Sequence, residues 1–423
     1  MLQLQTIREK SEQVIQALQK RGFNAAPVIA QILELDSTRR GLQTQLDTLL
    51  AEANQLSDSI GSLFKSGKAA EAAPLKERSA ALKEQTKKLS EELQQVSTSL
   101  DQLLYQVPNI PQGLVPEGKS AEDNIEVFSA GEIPQLHEGA KPHWELASDY
   151  DLIDFELGVK ISGAGFPVYK GKGARLQRAL INFFLDQNVA AGYKEIQPPH
   201  LINEASGIGT GQLPDKEGQM YNVTADGLYL IPTAEVPVTN ILRDQLLKED
   251  DLPQAMTAYT PCFRREAGSY GADVRGLNRL HQFDKVEIVR VETPENSDSA
   301  LTTMVEHIKK LLEALELPYR ILRLCAGDLG FTAAITYDFE VYSAAQKRWL
   351  EISSVSNFET FQSNRLKLRY KTKEGDKKLA HTLNGSALAL PRVVAALLEN
   401  HQTPEGITIP VALQPYTHFS KID

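Results

Sequence analysis

From Val28 the chain places Ile32, Leu35, Arg39, Leu42, Leu46, Leu49, Ala53, Leu56, Ile60 and Leu63 in an unbroken alternation of four and three steps. A mean period of 3.5 residues predicts a coiled-coil seam. After the break KSGKAAEAAP a second seam follows through Leu75, Ser79, Leu82, Thr86, Leu89, Leu93, Val96, Leu100, Leu103 and Val107. Pro108 cannot continue a helix and is expected to end it. Two seams of matching length joined by one short turn predict an antiparallel hairpin over about 27–106. At 1.5 Å per residue its first helix would be roughly 54 Å long, more than a compact domain needs, so an arm projecting into solvent is expected. Such an arm is as consistent with a dimerisation coil as with a binding arm. Residues 26–107 hold nine Lys and Arg against eleven Asp and Glu, so charge alone does not mark the hairpin as an RNA binder.

The pattern changes after Pro108. PNIPQGLVP, residues 108–116, is proline-rich and reads as a linker. Beyond it, short alternating runs mix with helical ones such as ARLQRALINFFLDQNVAAGY, and a hairpin-like pattern spans 257–292. Strands and helices do not alternate regularly, which favours an antiparallel α+β sheet over a doubly wound one. The expected organisation is therefore an amino-terminal domain over 1–107 and a second domain over 108–423.

Composition narrows the classes. With 42% hydrophobic and 24% charged residues in 423, the chain has the make-up of a globular protein rather than a disordered or fibrous one. Two cysteines, Cys262 and Cys325, are too few for a disulfide framework, and the eight histidines show no paired ligand spacing. A reducing cytoplasm is expected and a structural zinc is not. No apolar run reaches the roughly 18 residues of a membrane span, so the protein is expected to be neither exported nor embedded. A net charge of -10 argues weakly against a nucleic-acid partner but says little about local patches.

One such patch is CFRREAGSYGADVRGLNRLHQFDKVE, residues 262–287, with four arginines, a histidine and a lysine among glycines. Were 279–291 a strand, period two would put Arg279, His281, Phe283, Lys285 and Glu287 on one face and Leu280, Val286 and Ile288 on the other. The preceding strand would likewise pair Arg264 with Glu266 and leave Arg265 opposite, with the Gly-rich residues 267–278 as a long flexible loop. Guanidiniums bind phosphate oxygens bidentately and an aromatic face stacks on a base, so the platform suits a nucleotide. A cross-strand salt-bridge ladder on a solvated face is the alternative. GFPVYKGKGARL lacks the spacing of a phosphate loop and SGIGTGQ that of a dinucleotide fingerprint, so ATP, if bound, is bound on a sheet.

This stretch resembles motif 2 of the class II aminoacyl-tRNA synthetases, and TAEVP, EISSVSNF and HTLNGSALALPR resemble seryl-tRNA synthetases of the bacterial type. The resemblance runs over essentially the whole chain, hairpin included. It implies a six-stranded antiparallel sheet flanked by helices, a homodimer with Pro199 of motif 1 at its interface, and an ATP-dependent ligase that charges tRNA(Ser), with tRNA(Sec) as a candidate further substrate. Arg264 matches the arginine on the α-phosphate, Glu266 the carboxylate beside the adenine amino group, and Phe283 the ring under adenine. Arg392 matches the arginine over adenine's other face that reaches the γ-phosphate. Arg264, Arg279 and Arg392 are thus the expected catalytic residues, while Arg265, Ile352 and Ser353 fall within the ATP-binding motifs. Glu351 and Ser354 match ligands of the magnesium that accompanies ATP, which by strand parity requires a bulge or turn between them. Thr233, Ala234 and Glu235, with Glu287, match the serine pocket, and Thr233 and Glu235 would share strand parity. Ser386 matches the residue beside the substrate hydroxyl.

Arg365, Lys367, Arg369, Lys371 and Lys373 occupy alternate positions and would form a basic ribbon, facing either the tRNA acceptor end or, as edge-strand lysines, solvent. Two rivals remain: a carrier-protein aminoacyl ligase on the same core, which would lack the hairpin, and a non-catalytic coiled-coil protein, in which the ATP motifs would have decayed.

Overall fold

A computed structural model of the chain describes residues 1–266 and 275–423. It divides into two compact units, one formed by Leu2–Gln19 and Phe23–Pro108, the other by Asn109–Asp423 with Met1 and Lys20–Gly22.

The first unit is helical: α1 (Leu4–Glu9), α2 (Ser11–Gln19), α3 (Ala25–Lys65) and α4 (Ala73–Leu104). Helices α3 and α4 pair along the predicted seams, and every seam position is buried or half-buried. The guanidinium of Arg78 meets Glu52 at 2.8 Å and the ammonium of Lys76 sits 4.5 Å from the Phe64 ring centre, an antiparallel register. The charged seam residue, Arg39, is held 2.9 Å from Asp36, a fully buried carboxylate that Arg8 and Arg40 also face. Gly67 closes α3 with φ +76°, and the Lys68 amide reaches back to the Leu63 carbonyl at 2.9 Å, a left-handed cap that glycine adopts without strain. Helix α3 has 41 residues and spans roughly 60 Å, somewhat more than the heptads alone suggest. Helix α4 stops at Leu104 rather than at Pro108: the Gln106 and Val107 amides bond three residues back, to Leu103 and Leu104. A residue before proline avoids the helical region, so the last turn tightens and unwinds early.

The second unit is built on an eight-stranded sheet. Its strands are β1 (Ile125–Ala130), β2 (Lys194–Glu195), β3 (Gln254–Phe263), β4 (Gln282–Glu292), β5 (Tyr319–Arg323), β6 (Ile335–Ser343), β7 (Arg348–Glu359) and β8 (His381–Ala389). They lie in the order β1-β5-β6-β7-β8-β4-β3-β2, antiparallel throughout except for β2 beside β3. The sheet exceeds the expected six strands by its two edges. Strand β2 has only two residues, and β1 is exposed along nearly its whole length and shows no alternation to read. Helices α5 (Gly171–Ala190), α6 (Ser297–Ala314) and α7 (Leu390–Asn400) share one core with Val286, Ile288, Phe339, Val341 and Val355 of the sheet. This leaves the alternate face of β4, with Lys285 and Glu287, for chemistry.

The proline-rich residues 108–116 are not a free linker. The Asn109 amide donates to the Phe331 carbonyl at 2.9 Å, its side chain to the Thr332 and Phe358 carbonyls, and the Gln112 amide to the Ala334 carbonyl at 2.8 Å. The basic ribbon does not form either. Arg365 and Lys367 end a short helix, and Arg365 is buried with its guanidinium donating to the Ile208 and Leu213 carbonyls. Arg369–Lys371 is the middle strand of a three-stranded sheet, between Lys377–Leu379 and Leu246–Lys248, and so is no edge. Among the described residues no helix is long and apolar enough to cross a membrane.

Candidate active site

Strands β3 and β4 pair in the register Cys262 to Phe283, Thr260 to Lys285 and Ala258 to Glu287, so Phe283, Lys285 and Glu287 share one face as parity predicts. The pairing ends sooner than expected. The Arg264 amide still reaches the His281 carbonyl at 2.9 Å, but the Arg265 amide turns to Gln219 and Glu266 takes φ +49°. Arg279 and His281 therefore precede the strand instead of lying on it. The His281 ring is held by the Tyr221 hydroxyl at 2.7 Å and stacks 5.4 Å from Phe166. Residues 267–274 of the expected loop lie outside the described residues.

Departure from strand geometry still brings the charged groups together. The Arg264 guanidinium lies 5.2 Å from the Phe283 ring centre, a cation over an aromatic face. Glu266 accepts from Arg279 at 3.0 Å. From the first turn of α7, Arg392 donates through Nε to the Asn278 carbonyl at 3.0 Å and through Nη1 to the Glu351 carbonyl at 2.7 Å. Burial lowers the Arg392 pKa, and the nearby Arg279 and Arg264 charges lower it further against the opposing pull of Glu351 and Glu266. Three guanidiniums thus converge on two carboxylates, an excess of positive charge at the end of β4 that a polyanion would neutralise. Arg265 stands apart, close to Tyr221.

The expected bulge is present in β7. Ser354 pairs with Asp338 and Ser353 with Phe339, but Glu340 pairs with Glu351, which leaves Ile352 without a partner. Ile352 is buried in the core and the Ser353 hydroxyl donates to the Ser386 carbonyl at 2.6 Å, so their side chains are spent on packing. The Ser354 hydroxyl donates to Asp338. Burial first, and then the Glu351 charge, raise the Asp338 carboxyl well above its ordinary range. Asp338 was not singled out from the sequence, although TYDFEVYS alternates and its parity opposite Phe339 and Val341 would have placed it with Ser354. Glu351 and Ser354 offer two hard-oxygen side chains beside the Asp338 carboxyl, a donor set that fits a divalent cation bound mainly by phosphates.

Further along the same face lies a second cluster. TAEVP is not a strand: a short helix begins at Glu235, with Ala234 before it. Thr233 and Glu235 converge through a turn, the Glu235 amide donating to the Thr233 hydroxyl at 3.2 Å, while that hydroxyl donates to Glu287 at 3.3 Å. Strand parity fails here because a threonine hydroxyl can accept from the amide two residues on and close a turn as readily as it fits a strand. Lys285 Nζ lies 2.5 Å from Glu287, and Gln362, itself fixed by Thr382, donates to Glu235 at 2.7 Å. Lys285 was read only as a member of the face and Gln362 was missed, since FQSNRL carries no signal beyond a helical run. Ser386 is the register partner of Glu287 on β8. The Glu235 carboxyl is pushed up to about 7, by burial first and the Glu287 charge second, against hydrogen bonds from Gln362 and Asn384 and the Lys285 charge. Two buried carboxylates served by one ammonium invite another cation. Pro199 is exposed and in no regular element.

A family profile described as the seryl-tRNA synthetase N-terminal domain matches residues 1–111, and one described as the tRNA synthetase class II core domain (G, H, P, S and T) matches residues 221–401. The serine–tRNA ligase of Salinibacter ruber is 51% identical over 424 residues, covering 100% of this chain and 99% of that protein. That of Trichlorobacter lovleyi is 47% identical with 98% of each chain covered. Among solved structures, seryl-tRNA synthetase from Pyrococcus horikoshii complexed with ATP superposes with a TM-score of 0.90 at 32% identity, over 100% of this chain and 99% of that one. With an antiparallel sheet carrying both clusters and relatives matched over their whole length, the chain belongs to the seryl-tRNA synthetase family of class II.

Proposed function

We propose that the protein is an ATP-dependent serine–tRNA ligase, which joins L-serine to ATP as seryl-adenylate with release of pyrophosphate and then passes the seryl group to the 3′ end of tRNA(Ser). The observation that carries this is the polarity of one strand face. Arginines gather around Phe283 at one end of β4, and Glu287 lies four residues on along the same face, roughly 13 Å away, with Glu235 brought near it from the start of a short helix. An aminoacyl-adenylate is a molecule with a phosphate at one end and an ammonium at the other.

In the first step a serine carboxylate oxygen bonds to the α-phosphorus as the bond to pyrophosphate breaks. Arg264, lying over Phe283, is placed to offset the charge that grows on the α-phosphoryl oxygens, and Arg279 and Arg392 to hold the departing phosphates. Phe283 and Glu266 would receive the adenine ring and its amino group. Magnesium, held by Glu351 and Ser354, would supply charge neutralisation on the phosphates. Glu235, Glu287 and Thr233 would receive the ammonium and Ser386 the side-chain hydroxyl. A site that hydrogen-bonds that hydroxyl rejects alanine because its polar groups are then left unpaired. In the second step a terminal ribose oxygen of tRNA bonds to the acyl carbon and AMP leaves. No covalent enzyme intermediate is needed.

The division into an amino-terminal tRNA-binding domain over 1–107 and a catalytic domain over 108–423 belongs to this proposal. So do tRNA contact through the hairpin and the loop over 267–278, a homodimer with Pro199 at its interface, a cytoplasmic location and tRNA(Sec) as a further substrate. The complete hairpin and its match to the N-terminal domain profile favour a tRNA over a carrier protein as acceptor. Pyrophosphate exchange run with each of the twenty amino acids tests the core of the proposal. Exchange is expected with serine roughly 10,000-fold or more above alanine, the discrimination that a built hydroxyl site gives. Exchange led by another amino acid would refute it.

A further inference from the structure

Behind the arginine cluster lies a buried polar chain that the reaction described above does not use. His143 and Glu399 are both fully buried, and the His143 Nδ1 lies 2.7 Å from a Glu399 carboxylate oxygen that also accepts from the His143 amide at 2.9 Å. On the other side of the ring, the Leu277 amide donates to Nε2 at 2.8 Å. An amide can only donate, so Nε2 must present its lone pair and the ring proton must sit on Nδ1, facing Glu399. Burial opposes the Glu399 charge, but hydrogen bonds from His143 and Ser343 hold the carboxyl below its ordinary range, so it stays an acceptor. Gln346 runs parallel, donating to Glu399 at 2.9 Å and accepting from the Asn278 side chain at 3.1 Å.

Both routes end on Leu277 and Asn278, and the Asn278 carbonyl is the acceptor that fixes Arg392 Nε. Glu399 and Arg392 stand two turns apart on α7, so a single helix carries the arginine and the anchor of the backbone that aims it. The approach is tight. A Cβ on Gly276 would lie 2.3 Å from His143 Nε2, and Gly276 has φ +65°, so glycine is needed there twice over.

We propose that His143, held in the Nδ1–H tautomer by Glu399, is a positioning residue for adenylate formation: it pins the Leu277–Asn278 backbone so that Arg392 points at the phosphates. The inference rests on the reading of Arg392 as a phosphate ligand. It concerns geometry around the nucleotide and leaves the serine pocket untouched.

Two substitutions separate the ring's halves. His143→Asn keeps a donor near the Nδ1 position and removes the Nε2 acceptor, whereas His143→Gln keeps an acceptor near Nε2 and removes the donor. In serine-dependent pyrophosphate exchange by the full-length enzyme, His143→Asn is expected to lower kcat by about 10- to 100-fold with KM for serine unchanged, the cost of a displaced reacting group. His143→Gln is expected to keep most of the activity. Wild-type kcat in His143→Asn, or equal losses in both variants that track their loss of thermal stability, would overturn the proposal. Arg392→Ala is run alongside. If it leaves exchange intact, the reading of Arg392 fails and this inference with it; if it abolishes exchange while His143→Asn keeps the wild-type kcat, this inference fails alone. Should His143→Asn not fold, nitrogen-15 shifts of the histidines in the wild-type protein decide: the Nδ1–H tautomer at His143 is expected, and Nε2–H would contradict the chain.

Discussion

The hairpin and the sheet divide the molecule into a part whose pattern is plain and whose chemistry is silent, and a part where the reverse holds. In α3 and α4 one repeat of 3.5 residues runs unbroken through each helix, every seam position is withdrawn from solvent, and the charged residue within it, Arg39, is answered by Asp36. The sheet shows its alternation only in the middle of its strands and loses it where β3 and β4 end, among Arg264, Glu266 and Arg279. Regular structure satisfies its own backbone and leaves side chains to pack, while irregular ends free both to meet a ligand. The expected division of labour follows: changes in the sheet should lower adenylate formation and tRNA charging together, and changes in the arm should lower charging alone.

The largest effect is expected at Arg264. Arg264→Ala should cut the kcat of serine-dependent exchange by about 1000-fold while ATP binding weakens far less, because the guanidinium acts mainly on charge that grows during the reaction. Charging should fall by the same factor. Arg265→Ala is the control, since its amide bonds to Gln219 and its side chain lies by Tyr221. Greater damage from Arg265 than from Arg264 would reverse the assignment of the two arginines.

Glu287→Ala should come next. A buried, charge-assisted contact to the serine ammonium is worth about 1.5 to 3 kcal/mol, so kcat/KM for serine should drop by roughly 10- to 150-fold with ATP affinity nearly unchanged. The substitution also strands Lys285, so circular dichroism and the melting temperature must first show the variant folded. Unaltered serine kinetics in a folded variant would remove Glu287 from the pocket.

The smallest effect is a pH dependence at Glu235. In the free enzyme its carboxyl is pushed up to about 7, and a bound ammonium favours the ionised form. Below that pH, binding serine must expel a proton, so KM for serine should rise about tenfold per unit as pH falls and level off above it. Glu235→Gln should flatten the profile even if it weakens binding. A wild-type KM that is constant from pH 6 to 8 would show that Glu235 is already ionised.

Parity made Phe283, Lys285 and Glu287 legible because both faces of β4 are packed, and with the roles that the resemblance implies for Glu351 and Ser354 it called for a bulge or turn between them, which β7 has at Ile352. It failed for Arg279 and His281, where the Arg265 amide leaves the ladder and the Glu266 backbone turns left-handed, and for Thr233 and Glu235, where a turn closed on the Thr233 hydroxyl leads into a helix. Charge spacing misled at Arg365: backbone carbonyls from Ile208 and Leu213, distant in sequence, bury the guanidinium. His143 and Gln362 gave no local signal of a role, since each acts through partners far along the chain. The long resemblance supplied the roles that local patterns could not.

The central claim is that chemistry resides in the sheet and tRNA capture in the arm. Replacing residues 28–106 with a short Gly/Ser linker, in a protein shown to be folded, tests it directly, because no residue of either cluster lies in the deleted segment. Serine-dependent pyrophosphate exchange should persist near the wild-type rate, while aminoacylation of tRNA(Ser), measured in the same preparation, should fall by at least 100-fold as the acceptor end loses its effective concentration. Full aminoacylation without the hairpin, or loss of exchange along with it, would contradict the account.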